Sequence, residues 1–180
     1  GDEPVDMLEI NVSCPNVVGL TSLQDISFLS DIVDRLLDLR MVYDSYKPIL
    51  LKVSPDLAHQ QLDDIIDYCL RSGIDGIVAG NTTRSRDGIT SISKEKIEAI
   101  GNGGMSGAPI YKKNLELVKY VHAKSEGKLP IVGVGGIMSP EQAKEMMDAG
   151  ASLVEIYSGF IYEGPALIKN INKHLENTNK

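Results

Sequence analysis

The sequence predicts a parallel α/β fold, because short apolar segments alternate with helical ones and each apolar segment leads into a polar or glycine-rich loop. These segments are largely apolar, as in strands that are buried on both faces. The predicted strands are Met7–Val12, Ile49–Val53, Gly76–Ala79, Pro130–Val134 and Leu153–Tyr157. The predicted helices are Ile26–Leu39, a segment around Leu62–Leu70, Asn114–Ala123, Pro140–Asp148 and Gly164–Glu176.

The helical assignments depend on periodicity and on start and stop signals. In the second helix, apolar side chains recur at the spacing of one helical face. These are Leu62, Ile65, Ile66, Cys69 and Leu70. Glycine commonly follows the last turn of a helix, so Ser72-Gly73 predicts where this one ends. Ser139-Pro140 predicts a helix start, with a capping hydroxyl before a proline in the first turn.

Two parallel architectures fit this alternation, an open doubly wound sheet and a closed (β/α)₈ barrel. Each predicted strand leads into a loop with reactive or glycine residues. These loops are 11–16, 52–56, 80–86, 133–136 and 157–159. A barrel brings all such loops to one site, whereas an open sheet concentrates its ligand contacts near a switch point. The sequence therefore favours the barrel.

The number of strands is too small for a closed barrel, because five β/α units are visible and a barrel needs eight. Five parallel strands would leave two edges with unpaired backbone groups. We therefore expect residues 1–180 to be the C-terminal part of one barrel domain whose N-terminal strands are absent, with Met7–Val12 at an edge.

Composition excludes several classes of function. The chain has 180 residues, of which 42% are hydrophobic, and its net charge of −7 argues against nucleic acid as a partner. It contains no apolar stretch long enough to span a membrane. Two cysteines, Cys14 and Cys69, are too few for a disulfide framework, which predicts a cytoplasmic location. The three histidines, His59, His122 and His174, fall on or beside predicted helices, so no metal site is expected.

The first candidate site residues follow the first two predicted strands. Asn11 and Asn16 bracket Cys14 in a loop that contains a proline. Asparagine can bind an imide or carboxylate, and a thiol can accept a proton near neutral pH. On spacing alone, a small buried cysteine between two turn-forming asparagines is the simpler explanation of the loop. Lys52 lies near the end of an apolar strand, where it points into the site or extends along the rim.

Three glycine-rich segments occur later in the chain, at 103–107, 133–136 and 157–159. Glycine lets backbone N–H groups approach a phosphate closely, and barrels often bind phosphate at the loops after their last strands. The spacing differs from that of the dinucleotide fingerprint. These segments predict a phosphate site.

Taken in order, the motifs resemble those of the dihydroorotate dehydrogenase family. They are NVSCPN, LKVSPDL, GNTTRSR, GGMSG, PIVGVGGI and GASLVEIYSGFIYEGP, and they extend from Leu8 to about His174. The resemblance implies a (β/α)₈ barrel that binds FMN and oxidises dihydroorotate to orotate in pyrimidine biosynthesis.

The resemblance also implies roles for individual residues. Cys14 corresponds to the base that removes a proton from C5 of dihydroorotate. The residues implied in binding the substrate are Asn11, Asn16, Asn81 and Thr82. The residues implied in binding FMN are Asn11, Lys52, Gly80, Gly107, Gly136, Tyr157 and Ser158.

Two positions depart from the family pattern. The quinone-using branch normally has serine where Cys14 stands and threonine where Gly80 stands. The segment from Pro130 to Pro165 nevertheless resembles that branch, so we expect quinone as the electron acceptor, with fumarate or NAD as alternatives. Contact with the inner membrane is expected only through a missing N-terminal part, and a homo-oligomer is compatible with the resemblance.

Two other functions fit the sequence. One is a different FMN-dependent barrel, such as a dihydropyrimidine-type dehydrogenase, and the other is a non-catalytic half-barrel that serves as a binding module. We expect residues 1–180 on their own to have little or no activity.

Overall fold

A computed structural model of the chain describes residues 5–13, 26–42, 46–87, 89 and 92–178. Five parallel strands form one sheet, and they lie side by side in the order of the sequence. They are β1 Leu8–Asn11, β2 Ile49–Val53, β3 Gly76–Ala79, β4 Ile131–Val134 and β5 Leu153–Glu155. Strand β1 forms one edge of this sheet, as predicted, although β1, β4 and β5 are each shorter than the predicted strands.

Helices occupy most of the connections between the strands. They are α1 Ile26–Val42, α2 His59–Ser72, α3 Lys94–Ile100, α4 Tyr111–Lys124, α5 Pro140–Asp148, α6 Ser158–Glu163 and α7 Ala166–Thr178. A short 3₁₀ turn, Ala108–Ile110, leads directly into α4. Among the described residues, no helix is both long and apolar enough to cross a membrane.

The helices cover one face of the sheet, which we call the outer face. Outward-pointing strand residues such as Leu51, Ile77 and Ile131 belong to the same large core as the buried side chains of the helices. The alternate strand residues face the other way, on the inner face, and form a separate cluster. The members of that cluster are Leu50, Val78, Val132 and Val134.

This arrangement distinguishes between the doubly wound sheet and the barrel, the two architectures that fit the sequence. A doubly wound sheet reverses its strand order at a switch point and carries helices on both faces. Here the order runs from β1 to β5 without reversal, and the cores on the two faces are distinct. The described sheet therefore has the geometry of an arc of a (β/α) barrel, which confirms the predicted fold class.

Helix α2 follows the predicted pattern with one exception. Leu62, Ile65, Ile66 and Cys69 are buried as expected, but Leu70 is 41% exposed. Residue 70 falls one position beyond the buried stripe, so its inclusion in the core face was wrong. The helix ends at Ser72, and Gly73 follows in the left-handed conformation with φ +87°, as the stop signal predicted.

Two helices were not predicted from the sequence. Helix α3 has no buried residue, so no apolar periodicity reveals it, although the Ser93 hydroxyl caps its start. Helix α6 is only six residues long and ends at Glu163, and the next residue, Gly164, has φ +65°. The last predicted helix therefore begins at Ala166 rather than Gly164. The start of α5 matches the prediction, because Ser139 Oγ accepts a hydrogen bond from the Gln142 N–H at 3.3 Å.

A hydrogen-bonded cluster around Asp75 fixes the end of the sheet at which the strands begin. Asp75 accepts bonds from Arg40 at 2.5 Å, from the Ile49 N–H at 2.8 Å and from the Tyr46 hydroxyl. These bonds join the end of α1, the start of β2 and the turn before β3. Burial raises the pKa of Asp75, but the three donors outweigh burial and hold it below its ordinary value.

We expect Asp75→Asn to lower the free energy of unfolding by about 1–3 kcal/mol at pH 7, because it removes the charge that these donors satisfy. A depressed carboxyl pKa stabilises the fold above the unfolded-state pKa, and this contribution disappears as the pH falls through the folded-state pKa. The difference in unfolding free energy between wild type and Asp75→Asn should therefore become smaller below about pH 4. Urea unfolding at pH 7 and pH 3 measures both quantities.

The matched control is Asp148→Asn, because Asp148 pairs with Lys144 on the surface and its side chain is 60% exposed. That variant should change stability by less than about 0.5 kcal/mol. A deficit in Asp75→Asn that persists unchanged at pH 3 would contradict the charge-based explanation.

Candidate active site

The carboxyl ends of β2 to β5 surround a cavity of about 80 Å³. Its lining comes from segments that are far apart in the sequence but meet because parallel strands end at the same edge. The lining residues proposed from the sequence are Lys52, Gly80, Asn81, Thr82, Gly107, Gly136, Tyr157 and Ser158. The cavity volume suits a phosphate-sized group.

Lys52 lies on the inner face, where it makes two ion pairs. Its Nζ is 2.9 Å from Glu9 Oε1 and 3.5 Å from Glu155 Oε2. The Lys52 side chain is only 13% exposed, so the expectation that a lysine in an apolar strand needs charged partners is met by two carboxylates. Burial raises the pKa of Glu155 above its ordinary value, Lys52 acts against this rise, and Glu9 adds to it.

The two acidic partners were missed in the sequence. A signal was available for Glu9 alone, because residues two apart in a strand, such as Glu9 and Asn11, share a face. Strand pairing sets Asn11 beside Lys52 and Glu155 beside Val134. The alternation then puts Glu9 on the inner face together with Asn11.

An amide and hydroxyl cluster joins the ends of β1 and β3. Asn81 Nδ2 donates to Ser13 Oγ at 2.8 Å and to Asn11 Oδ1 at 3.4 Å. Ser13 is fully buried and also donates through its hydroxyl to Asn11 Oδ1 at 3.3 Å. The structure therefore brings Asn11 and Asn81 together, and it adds Ser13, which the sequence had not singled out. Cys14 and Asn16 lie outside the described residues.

Two side chains near the cavity have buried polar atoms without a hydrogen-bond partner among the described residues. They are Thr82, through Oγ1, and Asn114, through both Oδ1 and Nδ2. Asn114 is fully buried between Gly80 and Gly135, and its carboxamide occupies the space that a side chain at either glycine would take. An unsatisfied buried polar group costs free energy, so these atoms lack partners that folded proteins normally supply.

The glycine loops form the other side of the cavity. Gly136 has φ +79°, and a Cβ there would lie 2.5 Å from the Tyr111 backbone nitrogen. A side chain at Gly107 would instead meet Ser158, whose hydroxyl donates to Ser106 Oγ at 3.1 Å. A glycine cradle with two hydroxyls fits the phosphate of a nucleotide cofactor, and the unpartnered Thr82 hydroxyl lies at the same site. The residues present therefore fit the phosphate end of a flavin nucleotide.

Asp56 anchors the loop that carries Asn81 and Thr82. Its carboxylate accepts bonds from Thr83 Oγ1 at 2.5 Å, from the Arg84 N–H at 2.8 Å and from Lys113. Burial raises the pKa of Asp56, but the bonds from Lys113, Thr83 and Arg84 outweigh burial and hold it below its ordinary value. The sequence predicts that Asp56 follows a strand, but it does not reveal the contacts of its carboxylate.

A larger and more open groove of about 450 Å³ lies on the outer side, between α2 and α4. His59 and Tyr120 stack in it, with ring centroids 4.9 Å apart. The groove contains none of the residues proposed for the site. Cys69 lies on the buried face of α2, where burial raises the pKa of its thiol to about 12, so it cannot act as a base near neutral pH.

A family model described as dihydroorotate dehydrogenase matches residues 2–178. The chain belongs to the dihydroorotate dehydrogenase family. It is 45% identical over 171 residues to dihydroorotate dehydrogenase (quinone) of Christiangramia forsetii, covering 95% of this chain and 49% of that one. The enzyme of the same name from Salinispora arenicola is 42% identical over 164 residues, covering 91% of this chain and 46% of that one.

Solved dihydroorotate dehydrogenase structures have the same fold. The ligand-free enzyme of Eimeria tenella superposes with a TM-score of 0.87 at 29% identity, covering 96% of this chain and 51% of that one. Its complex with ferulenol gives a TM-score of 0.84 at 30% identity, covering 97% of this chain and 50% of that one. The chain thus spans about half the length of the relatives it matches, and the barrel-arc geometry is that of this dihydroorotate dehydrogenase fold.

We expect Asp56→Asn to loosen the loop of residues 81–86, because it weakens the charge-assisted bonds to Thr83, Arg84 and Lys113. Hydrogen exchange of the backbone amides in this loop should accelerate by about tenfold or more, the equivalent of 1.4 kcal/mol. The control is Asp64→Asn, since Asp64 makes an exposed bond to Gln60 on α2. Equal exchange rates in both variants would contradict the anchoring role.

Proposed function

We propose that the protein oxidises dihydroorotate to orotate with FMN as its cofactor and a quinone as the electron acceptor. The observation that carries this proposal is the convergence of Lys52, Asn81, Thr82, Gly107 and Gly136 on one cavity at the strand ends. Quinone is inferred from relatives that are named as quinone-dependent enzymes. We further propose that residues 1–180 form the C-terminal part of one FMN-binding barrel domain.

The proposal gives each part of the site a separate task. Bound FMN supplies the acceptor for the hydride that leaves C6 of dihydroorotate. Cys14 is the base that takes the proton from C5, because a thiol titrates close enough to neutral pH to accept it. Cys14 directly follows Ser13 in the sequence, and Ser13 is hydrogen-bonded to Asn81.

Amide side chains hold the substrate in this proposal. Asn11 and Asn81 are already hydrogen-bonded into one cluster, which limits the rotation of both amides before substrate arrives. Asn16 and Thr82 complete the set, and the unpartnered Thr82 hydroxyl supports a role in ligand binding. Amide groups can both donate and accept, which matches the imide and carboxylate of the substrate.

The cofactor is held by charge at one end and by backbone at the other. Lys52 provides positive charge toward the flavin ring, which favours the reduced state because the ring gains negative charge on reduction. Gly107, Gly136 and Ser158 would hold the phosphate, and Tyr157 and Gly80 line the same cavity. Asn11 is the residue assigned to both ligands.

Mixing the purified protein with dihydroorotate in the absence of oxygen tests this function. The flavin absorbance at about 450 nm should bleach with dihydroorotate and stay unchanged with dihydrouracil. Bleaching only by dihydrouracil would favour a dihydropyrimidine-type dehydrogenase. A colourless protein that takes up no FMN would contradict the proposal as a whole.

Cys14→Ala should retain FMN but reduce it with dihydroorotate about 10²–10⁴-fold more slowly, the usual range for loss of a general base. Stopped-flow absorbance measures the rate. Cys69→Ala is the matched control, because Cys69 is the other thiol and lies buried in the core. A Cys14→Ala rate equal to that of the control would exclude Cys14 as the base.

Gly136→Val should lose FMN, because a side chain at this position collides with the Tyr111 backbone and forces the loop to move. Gly101→Val is the control, since Gly101 has a similar φ of +80° but a Cβ there would meet no atom within 4 Å. The flavin-to-protein ratio after purification measures the effect. Stoichiometric FMN in Gly136→Val would mean that the phosphate binds elsewhere.

A further inference from the structure

Three charged side chains from three strands meet on the inner face of the sheet. Lys52 of β2 contacts Glu9 of the neighbouring strand β1 and also reaches Glu155 of β5, three strands away. The side chains of Glu9 and Glu155 are only 24% and 34% exposed. One ammonium is thus shared between two partly buried carboxylates.

This cluster carries more negative than positive charge. Lys52 is the one basic residue among the described strand residues, and Glu9 and Glu155 are the only acidic ones. The intervening inward-facing positions of β3 and β4 are apolar, namely Val78, Val132 and Val134. No nearby strand residue in the described sheet therefore offsets the second carboxylate.

The second carboxylate opposes the electrostatic role proposed for Lys52. Positive charge beside a flavin favours the reduced state, whereas negative charge disfavours it. Lys52 alone would raise the reduction potential of the cofactor. With both carboxylates ionised, the cluster has a net charge of −1, so the two carboxylates offset the positive charge of Lys52. Burial raises the pKa of Glu155, because partial removal from water disfavours the ionised carboxylate.

We propose that Glu155 is a positioning residue for Lys52 and that, together with Glu9, it lowers the reduction potential of the bound flavin. The inference rests on the proposed function, because it requires FMN beside Lys52. Glu155 holds the ammonium from the β5 side while Glu9 holds it from the β1 side. A lower potential eases transfer of electrons from the reduced flavin to its acceptor.

The Glu155→Gln variant separates charge from shape, because an amide has nearly the same size and can still accept a bond from Lys52. Removing one negative charge should favour the reduced flavin on the order of tenfold at an effective protein dielectric. For a two-electron couple, tenfold corresponds to a rise of about 30 mV in the midpoint potential. Equilibration with redox dyes measures the potential directly, without turnover.

The control is Glu116→Gln, because Glu116 lies on the surface, is 70% exposed and pairs with Lys119. It removes the same charge from a position outside the site and should leave the potential unchanged. Glu9→Gln should shift the potential in the same direction as Glu155→Gln. It provides the same test if Glu155→Gln purifies without flavin.

The outcomes distinguish this inference from the function on which it rests. If the wild-type flavin is reduced by dihydroorotate but Glu155→Gln and Glu9→Gln have the wild-type potential or a lower one, only the inference is wrong. If the wild-type protein binds no FMN, both are wrong. A rise in both variants, with none in Glu116→Gln, supports the inference.

Discussion

The handedness of the connections between parallel strands is the constraint on which the rest of this structure depends. A right-handed crossover returns each helix to the same face of the sheet as long as the strand order does not reverse. From β1 to β5 the order never reverses, so the helices and the large core lie on the outer face. The inner face is left for side chains that need not pack against a helix, and Lys52 is one of them.

The two ends of the strands serve different purposes as a result. At the end where the strands begin, Asp75 ties Arg40 and the start of β2 into a rigid cluster. At the end where they finish, loops from distant parts of the chain converge, and the bonds of Asp56 and Asn81 set their positions. Stability and ligand binding can therefore vary separately, as is typical of barrels.

The fold could be predicted from the sequence because its signals are local. Largely apolar strands, the periodicity of α2 and the Ser139 cap each involve residues close together in the chain. The site could be predicted only in part. Glycine loops and Lys52 stand out within short motifs, whereas the pairing of Lys52 with Glu155 depends on side chains 103 residues apart. Ser13 resembles any small loop residue until its bond to Asn81 is seen.

The packing around residue 80 explains why this chain has glycine there instead of the usual threonine. In the quinone-using branch a threonine is usual at this position, and its loss suggested only a missing contact. In the structure, Asn114 and Leu117 fill the space that a side chain at residue 80 would occupy. A glycine is therefore required here as long as the buried Asn114 carboxamide stays beside it. The loops after β3 and β4 meet on either side of that carboxamide.

The central claim is that the inner face at the strand ends binds FMN and the substrate together. A crystal structure of the polypeptide encoded by the gene, grown with FMN and orotate, tests it most directly. We predict flavin density beside Lys52, phosphate density between Gly107 and Gly136, and orotate in contact with Asn81. Ligand density in the outer groove beside His59 and Tyr120, with none on the inner face, would contradict the account.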